Sequence, residues 1–105
     1  MPGEARVIHI GQPNLDHRHL YLTGCMDLFP EDVLGGPNKS HAAARTVRVE
    51  YGHESVETDV VRGKRIFRRR KWVREFFTRT GMADGDRVLL EQLDPYSYRV
   101  TRLES

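Results

Sequence analysis

Residues 45–51 alternate cleanly. Val47, Val49 and Tyr51 fall on one side, and Thr46, Arg48 and Glu50 fall on the other. A period of two marks a half-buried strand, because successive side chains leave a pleated strand on opposite faces. The same alternation returns twice: Val56, Thr58 and Val60 against Glu57 and Asp59, then Tyr96, Tyr98 and Val100 against Ser97, Arg99 and Thr101. Each run stops after a few residues at turn formers such as Gly52-His53, Arg62-Gly63, Asp84-Gly85 and Asp94-Pro95. Short strands at regular spacing in a chain of 105 residues predict one small, mainly β domain with a thin core.

The remaining segments fill in an order of elements. Residues 6–10 read as a first strand, 11–18 as a polar loop, and 19–23 as a second strand with Leu20 and Leu22 on one face. Residues 28–36 read as a helix of one or two turns. Pro30 suits its first position, Glu31 and Asp32 favour the positive end of its dipole, and Gly35-Gly36 supplies the stop. Gly63 is expected at positive φ in a tight hairpin tip, with residues 64–68 returning as a strand. The period then changes: Trp72, Val73, Phe76 and Phe77 lie on one helical stripe, closed by Gly81. The expected fold is α+β, mainly β: a seven-stranded open pseudobarrel with two short helices, in the order ββαβββαββ. It occupies residues 1–105 as one domain, with 1–4 flexible and 37–44 a mobile loop.

Charge is distributed unevenly. Between residues 62 and 79 nine Lys and Arg face only Glu75, a local charge of +8, while the rest of the chain carries −6 for a net +2. That many like charges cannot be buried unpaired, so they lie outside, where their repulsion favours a polyanion partner. The Trp72/Phe76/Phe77 wedge reads as core packing that fixes where the arginines point. Arginine's planar fork suits phosphate oxygens and the O6 and N7 of guanine. The expected DNA contacts are therefore Arg62, Lys64, Arg65, Arg68, Arg69 and Arg70. Gln12, Asn14, His17 and Arg18 would read or position bases from the first loop, and Lys39 would hold a phosphate.

Other classes find less support. No apolar run approaches the ~20 residues that span a bilayer, and the first residues lack an apolar signal core, so a cytoplasmic protein is expected. The single cysteine, Cys25, allows no intramolecular disulfide and no multi-cysteine zinc site. No nucleophile elbow, zinc-protease helix or phosphate loop occurs, so neither catalysis nor a cofactor is expected. The enzymatic alternative is a metal-dependent nuclease or hydrolase built on His17, His19 and Asp27.

The run Lys71-Trp72-Val73-Arg74-Glu75-Phe76-Phe77, followed by Gly85-Asp86-Arg87-Val88, resembles a motif of the DNA-binding pseudobarrel superfamily. That motif joins Gly-Trp-x-x-Phe to Leu-x-x-Gly-Asp-x-Val. The superfamily includes the plant B-three domains of auxin response factors and the specificity domains of some bacterial type II restriction endonucleases. Leu20-Tyr21-Leu22 through Phe29-Pro30 is similar to its strand-to-helix segment. Lys71 stands in place of the plant glycine and Met82 in place of leucine, and the loops are short, which favours a bacterial relative. The resemblance implies a monomer that grips the major groove of double-stranded DNA with two arms, here residues 12–19 and 59–70, in transcription regulation or a restriction system. The alternative among barrels is the swapped-hairpin transcription regulator, which shares the Gly-Asp before a strand and requires a dimer.

Overall fold

The computed structural model describes residues 3–103. Its elements run β1 (Ala5–His9), α1 (Gln12–His17), β2 (Leu34–Gly35), β3 (Val47–Tyr51), β4 (Glu54–Thr58), β5 (Val60–Val61), β6 (Ile66–Phe67), α2 (Lys71–Thr80), β7 (Arg87–Asp94) and β8 (Ser97–Leu103). Three 3-10 turns, Met26–Leu28, Glu31–Val33 and Lys39–His41, punctuate the loops. The protein is α+β and mainly β. One sheet has the order β1-β7-β8-β3-β4 and the other β2-β5-β6. Each is mixed: β3 runs parallel to β8 and β2 parallel to β5, while the other neighbours are antiparallel. Neither sheet closes into a barrel, and eight strands form among the described residues where seven were expected. No helix among the described residues is long and apolar enough to cross a membrane.

Aromatic side chains join the two sheets to α2. Tyr98 of the larger sheet stacks on Phe29, with ring centroids 4.7 Å apart, and Phe29 meets Phe67 of the smaller sheet edge-on at 5.8 Å. Phe67 touches Trp72 at 5.6 Å, and Trp72 returns to the larger sheet through Tyr51 at 5.2 Å. Trp72, Val73, Phe76 and Phe77 are all buried, as the helical stripe predicts, and Gly81 closes α2 in the left-handed conformation with φ 65°. Burying each large apolar side chain contributes roughly 1.5–3 kcal/mol, so this wedge anchors α2 firmly. The Tyr98 hydroxyl donates to the Leu28 carbonyl at 2.8 Å, and burial pushes its pKa up to about 12.

Several local expectations are overturned. The polar loop after β1 is helix α1: Pro13 sits in its first turn, and the Asn14 side chain accepts from the Gly11 N–H at 2.9 Å. The segment 19–23 is not a strand. Residues 19–22 have no regular structure and Thr23 enters a turn; Leu22 N–H donates to the Arg65 carbonyl at 2.7 Å, while Leu20 and Leu22 both sink into the core. Residues 28–36 form no α-helix; Gly35 does not stop a helix but pairs with Val61 in β2. The run through Val56, Thr58 and Val60 divides at Asp59 between the two sheets. The hairpin turn spans residues 62–65, and the positive φ falls on Arg65 at 56°, not on Gly63. Of the segment expected to be flexible, residues 1–2 lie outside the described residues; Gly3 N–H donates to Gln92 O, and Glu4 O accepts from Gln92 N–H, each at 2.8 Å.

Candidate functional site

The site begins with a buried clasp. Asp59, at the break between β4 and β5, is 5% exposed. Its carboxylate accepts Arg68 Nε–H at 2.7 Å and Ala43 N–H at 2.8 Å. Arg68 also donates to the carbonyls of Gly36 at 2.6 Å and Asn38 at 3.2 Å. Burial alone pushes the Asp59 carboxyl up; the Arg68 and Ala43 hydrogen bonds and the Arg68 charge outweigh it and hold the pKa below the usual carboxylate range. The crossing is so tight that a Cβ on Gly35 would lie 2.6 Å from Ala43 N, 2.6 Å from Asp59 Oδ2 and 2.8 Å from Arg68 Nη2. Glycine is required there for space. The loop expected to be mobile, residues 37–44, is thereby tied to the strand that carries the basic segment.

The clasp positions a groove of about 760 Å³. Consecutive residues from Arg68 to Trp72 line one side, Lys39 lines it from the tied loop, and Tyr51 and Val56 supply apolar surface. Glu75, a carboxylate at the groove, is ion-paired with Arg79. A second concavity of about 300 Å³ adjoins it, lined by His17, His19, Tyr21, Lys64 and Ile66. Arg70 Nη1 lies 3.3 Å from His19 Nε2 and bridges the two. Arginine can only donate, so Nε2 accepts and the neutral imidazole carries its hydrogen on Nδ1, which is buried without a partner. Burial first, then the charges of Arg70, His17 and Lys64, lower the His19 pKa below its ordinary value.

The expected site residues therefore separate. Lys39, Arg69 and Arg70 line the groove, and His17 and Lys64 line the adjoining concavity. Arg68 lines the groove too, but its guanidinium is spent on Asp59 and two carbonyls. Arg62 is ion-paired with Glu31. Asn14 is buried and occupied locally, accepting from Gly11 N–H and donating to the His19 carbonyl. Gln12 donates to Asp16 at 2.9 Å. Arg18, in the left-handed conformation at the end of α1, and Arg65, in the hairpin turn, are exposed and line neither concavity. Lys71 and Tyr21 belong to the surface but were outside the expected set, and His19 fell within the expected arm 12–19 without being named as a contact. Lys71 was legible as part of the basic run; Tyr21 was not, because only the folded chain places it beside Lys64 and Ile66.

The metal-binding alternative is not assembled here. The His17 and His19 rings lie 6.2 Å apart, Asp27 pairs with Arg6 at 2.9 Å, and no group of three His, Cys, Asp or Glu side chains converges among the described residues. Comparison of the chain with protein-family models, with curated proteins and with solved structures gives no match.

Proposed function

We propose that this chain is a non-catalytic double-stranded DNA-binding module, with α1 as one arm and the β5–β6 hairpin with the entry to α2 as the other. The observation that carries the reading is the meeting of these two regions. His17 and His19 lie beside Lys64, and His19 touches Arg70. From there the cationic surface continues through Arg69 and Lys71 to Lys39. Five cations of this face, Lys39, Lys64, Arg69, Arg70 and Lys71, and a sixth in the neighbouring hairpin turn, Arg65, have no carboxylate partner among the described residues. If each neutralises a phosphate, log K falls against log salt with a slope near −5. The finer architecture belongs to the same proposal: the two sheets, with segment 19–23 hydrogen-bonded to the hairpin through Leu22, form an open pseudobarrel of the B-three kind.

Binding of labelled duplex, followed by fluorescence anisotropy at several salt concentrations, tests the reading. Replacing Arg69, Arg70 and Lys71 together with Gln should weaken binding by about tenfold or more near ~50 mM salt, and flatten the slope by about 3. Unchanged affinity in this variant, or an acidic protein binding where duplex does not, would sink it.

A further inference from the structure

Helix α2 begins in a way that is unfavourable for an isolated helix. Its cap position is Arg70, no side chain caps it, and its first turn holds no acidic residue. Instead Arg69, Arg70 and Lys71 crowd the positive end of the helix dipole, where cations are disfavoured and anions favoured. The N–H of Val73 is satisfied by the Arg70 carbonyl at 3.0 Å, but those of Lys71 and Trp72 have no acceptor among the described residues. A second observation is independent of the helix end. Trp72 lines the same groove, is 4% exposed, and its indole Nε1–H is buried with no partner. Buried donors are nearly always paired, so this one marks a place where an acceptor is missing. Lys39 is brought to the same groove from thirty residues away in the chain by the Arg68 clasp.

Resting on the reading of this groove as the DNA-facing surface, we propose that the N-terminus of α2 is a dedicated site for one phosphate diester of the nucleic-acid backbone. The free N–H groups of Lys71 and Trp72 hold its oxygens, Lys39 and Arg69 supply countercharge, and seating the group draws the enclosed Trp72 ring edge toward the groove, where its indole N–H gains an acceptor. The contact sets the register of the protein on the duplex and reads no base. It makes the entry to α2 a fixed point from which Arg70 and the hairpin reach outward.

The test is an amide and indole NMR titration of the full chain with three probes at matched ionic strength: sodium chloride, inorganic phosphate and dimethyl phosphate. Phosphate and dimethyl phosphate should shift the Lys71 and Trp72 amides and the Trp72 indole proton saturably, and chloride should not. Response to inorganic phosphate alone would overturn the diester assignment in favour of a free-phosphate site. Equal shifts with chloride, or shifts spread over all exposed basic residues, would overturn the site altogether. Lys39→Gln, an exposed change far from the core, should weaken the saturable response at least threefold, and no change there would overturn the role of Lys39. Anisotropy with duplex separates the two levels. Duplex binding without a response at Lys71 and Trp72 sinks this inference and spares the function. A saturable diester response without duplex binding does the reverse.

Discussion

Asp59→Ala probes the clasp that holds the candidate interface together. The Asp59 side chain is 6% exposed and that of Arg68 is 17% exposed, with 2.7 Å between Oδ1 and Nε. Removing the carboxylate leaves a nearly enclosed guanidinium with two carbonyl partners, and strands the Ala43 N–H. Truncating one member of a buried ion pair costs about 3–5 kcal/mol. The surviving carbonyl bonds and the residual exposure of Arg68 put this case near the lower end, at about 3 kcal/mol. For a domain near 100 residues each kcal/mol moves the melting midpoint by about 4–8 °C, so a fall of at least ~12 °C is expected. The single tryptophan, Trp72, lies in the core and reports unfolding in urea or on heating. Adding Arg68→Met removes the orphaned charge, and the double variant should recover about 2 kcal/mol of the loss. The reasoning is refuted if Asp59→Ala costs less than about 1 kcal/mol, or if the double variant is less stable than the single one.

Three further outcomes are expected. The Asp59 carboxyl is held low by its Arg68 and Ala43 bonds against burial, and the Asp86 carboxyl by the Ala83 N–H and Arg102. A carboxyl whose folded pKa lies below its unfolded value of ~3.9 stabilises fully above that pH and loses the contribution as pH falls through the folded value. Stability from these groups should thus hold from neutral pH to about 5 and fall below about 4, and urea midpoints unchanged at pH 2.5 would contradict this. Arg65 adopts φ 56° with an exposed side chain, so Arg65→Gly should leave stability equal or raise it by about 0.5–1 kcal/mol while weakening duplex binding; a clear loss of stability would show that the side chain supports the turn. The lowered His19 pKa means the unfolded chain binds more protons as pH drops below ~6.5, so this group costs stability on acidification. A bound polyanion favours the protonated form, so duplex affinity should rise from pH 7.5 to 5.5 by more in the native protein than in His19→Gln, and identical pH profiles would exclude His19 from the interface.

How much of this was legible in the sequence can be traced residue by residue. Period-two alternation located β3, β4 and β8, and the stripe of Trp72, Val73, Phe76 and Phe77 located α2 with its Gly81 stop, because both patterns need only the local geometry of the backbone. The basic block was equally plain, since charge is read from composition alone. Residues 12–17 were misread because Pro13 and Asn14 serve a loop or a helix start equally well, and only the burial of Asn14 and its bond to Gly11 decide between them. Asp59 was assigned to the solvent face by alternation, yet it turns inward because the chain changes sheets there and Arg68 waits on the returning strand.

The local repeat of apolar and polar positions settled the class, mainly β with one amphipathic helix, since each strand and helix is dictated by neighbours a few residues away. Which cations remain available to a ligand was decided in three dimensions. Glu31 takes Arg62, Asp59 takes Arg68 and Glu75 takes Arg79, while Arg69, Arg70 and Lys71 stay free of carboxylates. Glu31 lies far along the chain from Arg62, and Asp59 meets Arg68 only once the hairpin between them has folded back; an ion pair depends on distance in space, which the order of residues does not contain until the sheets have packed.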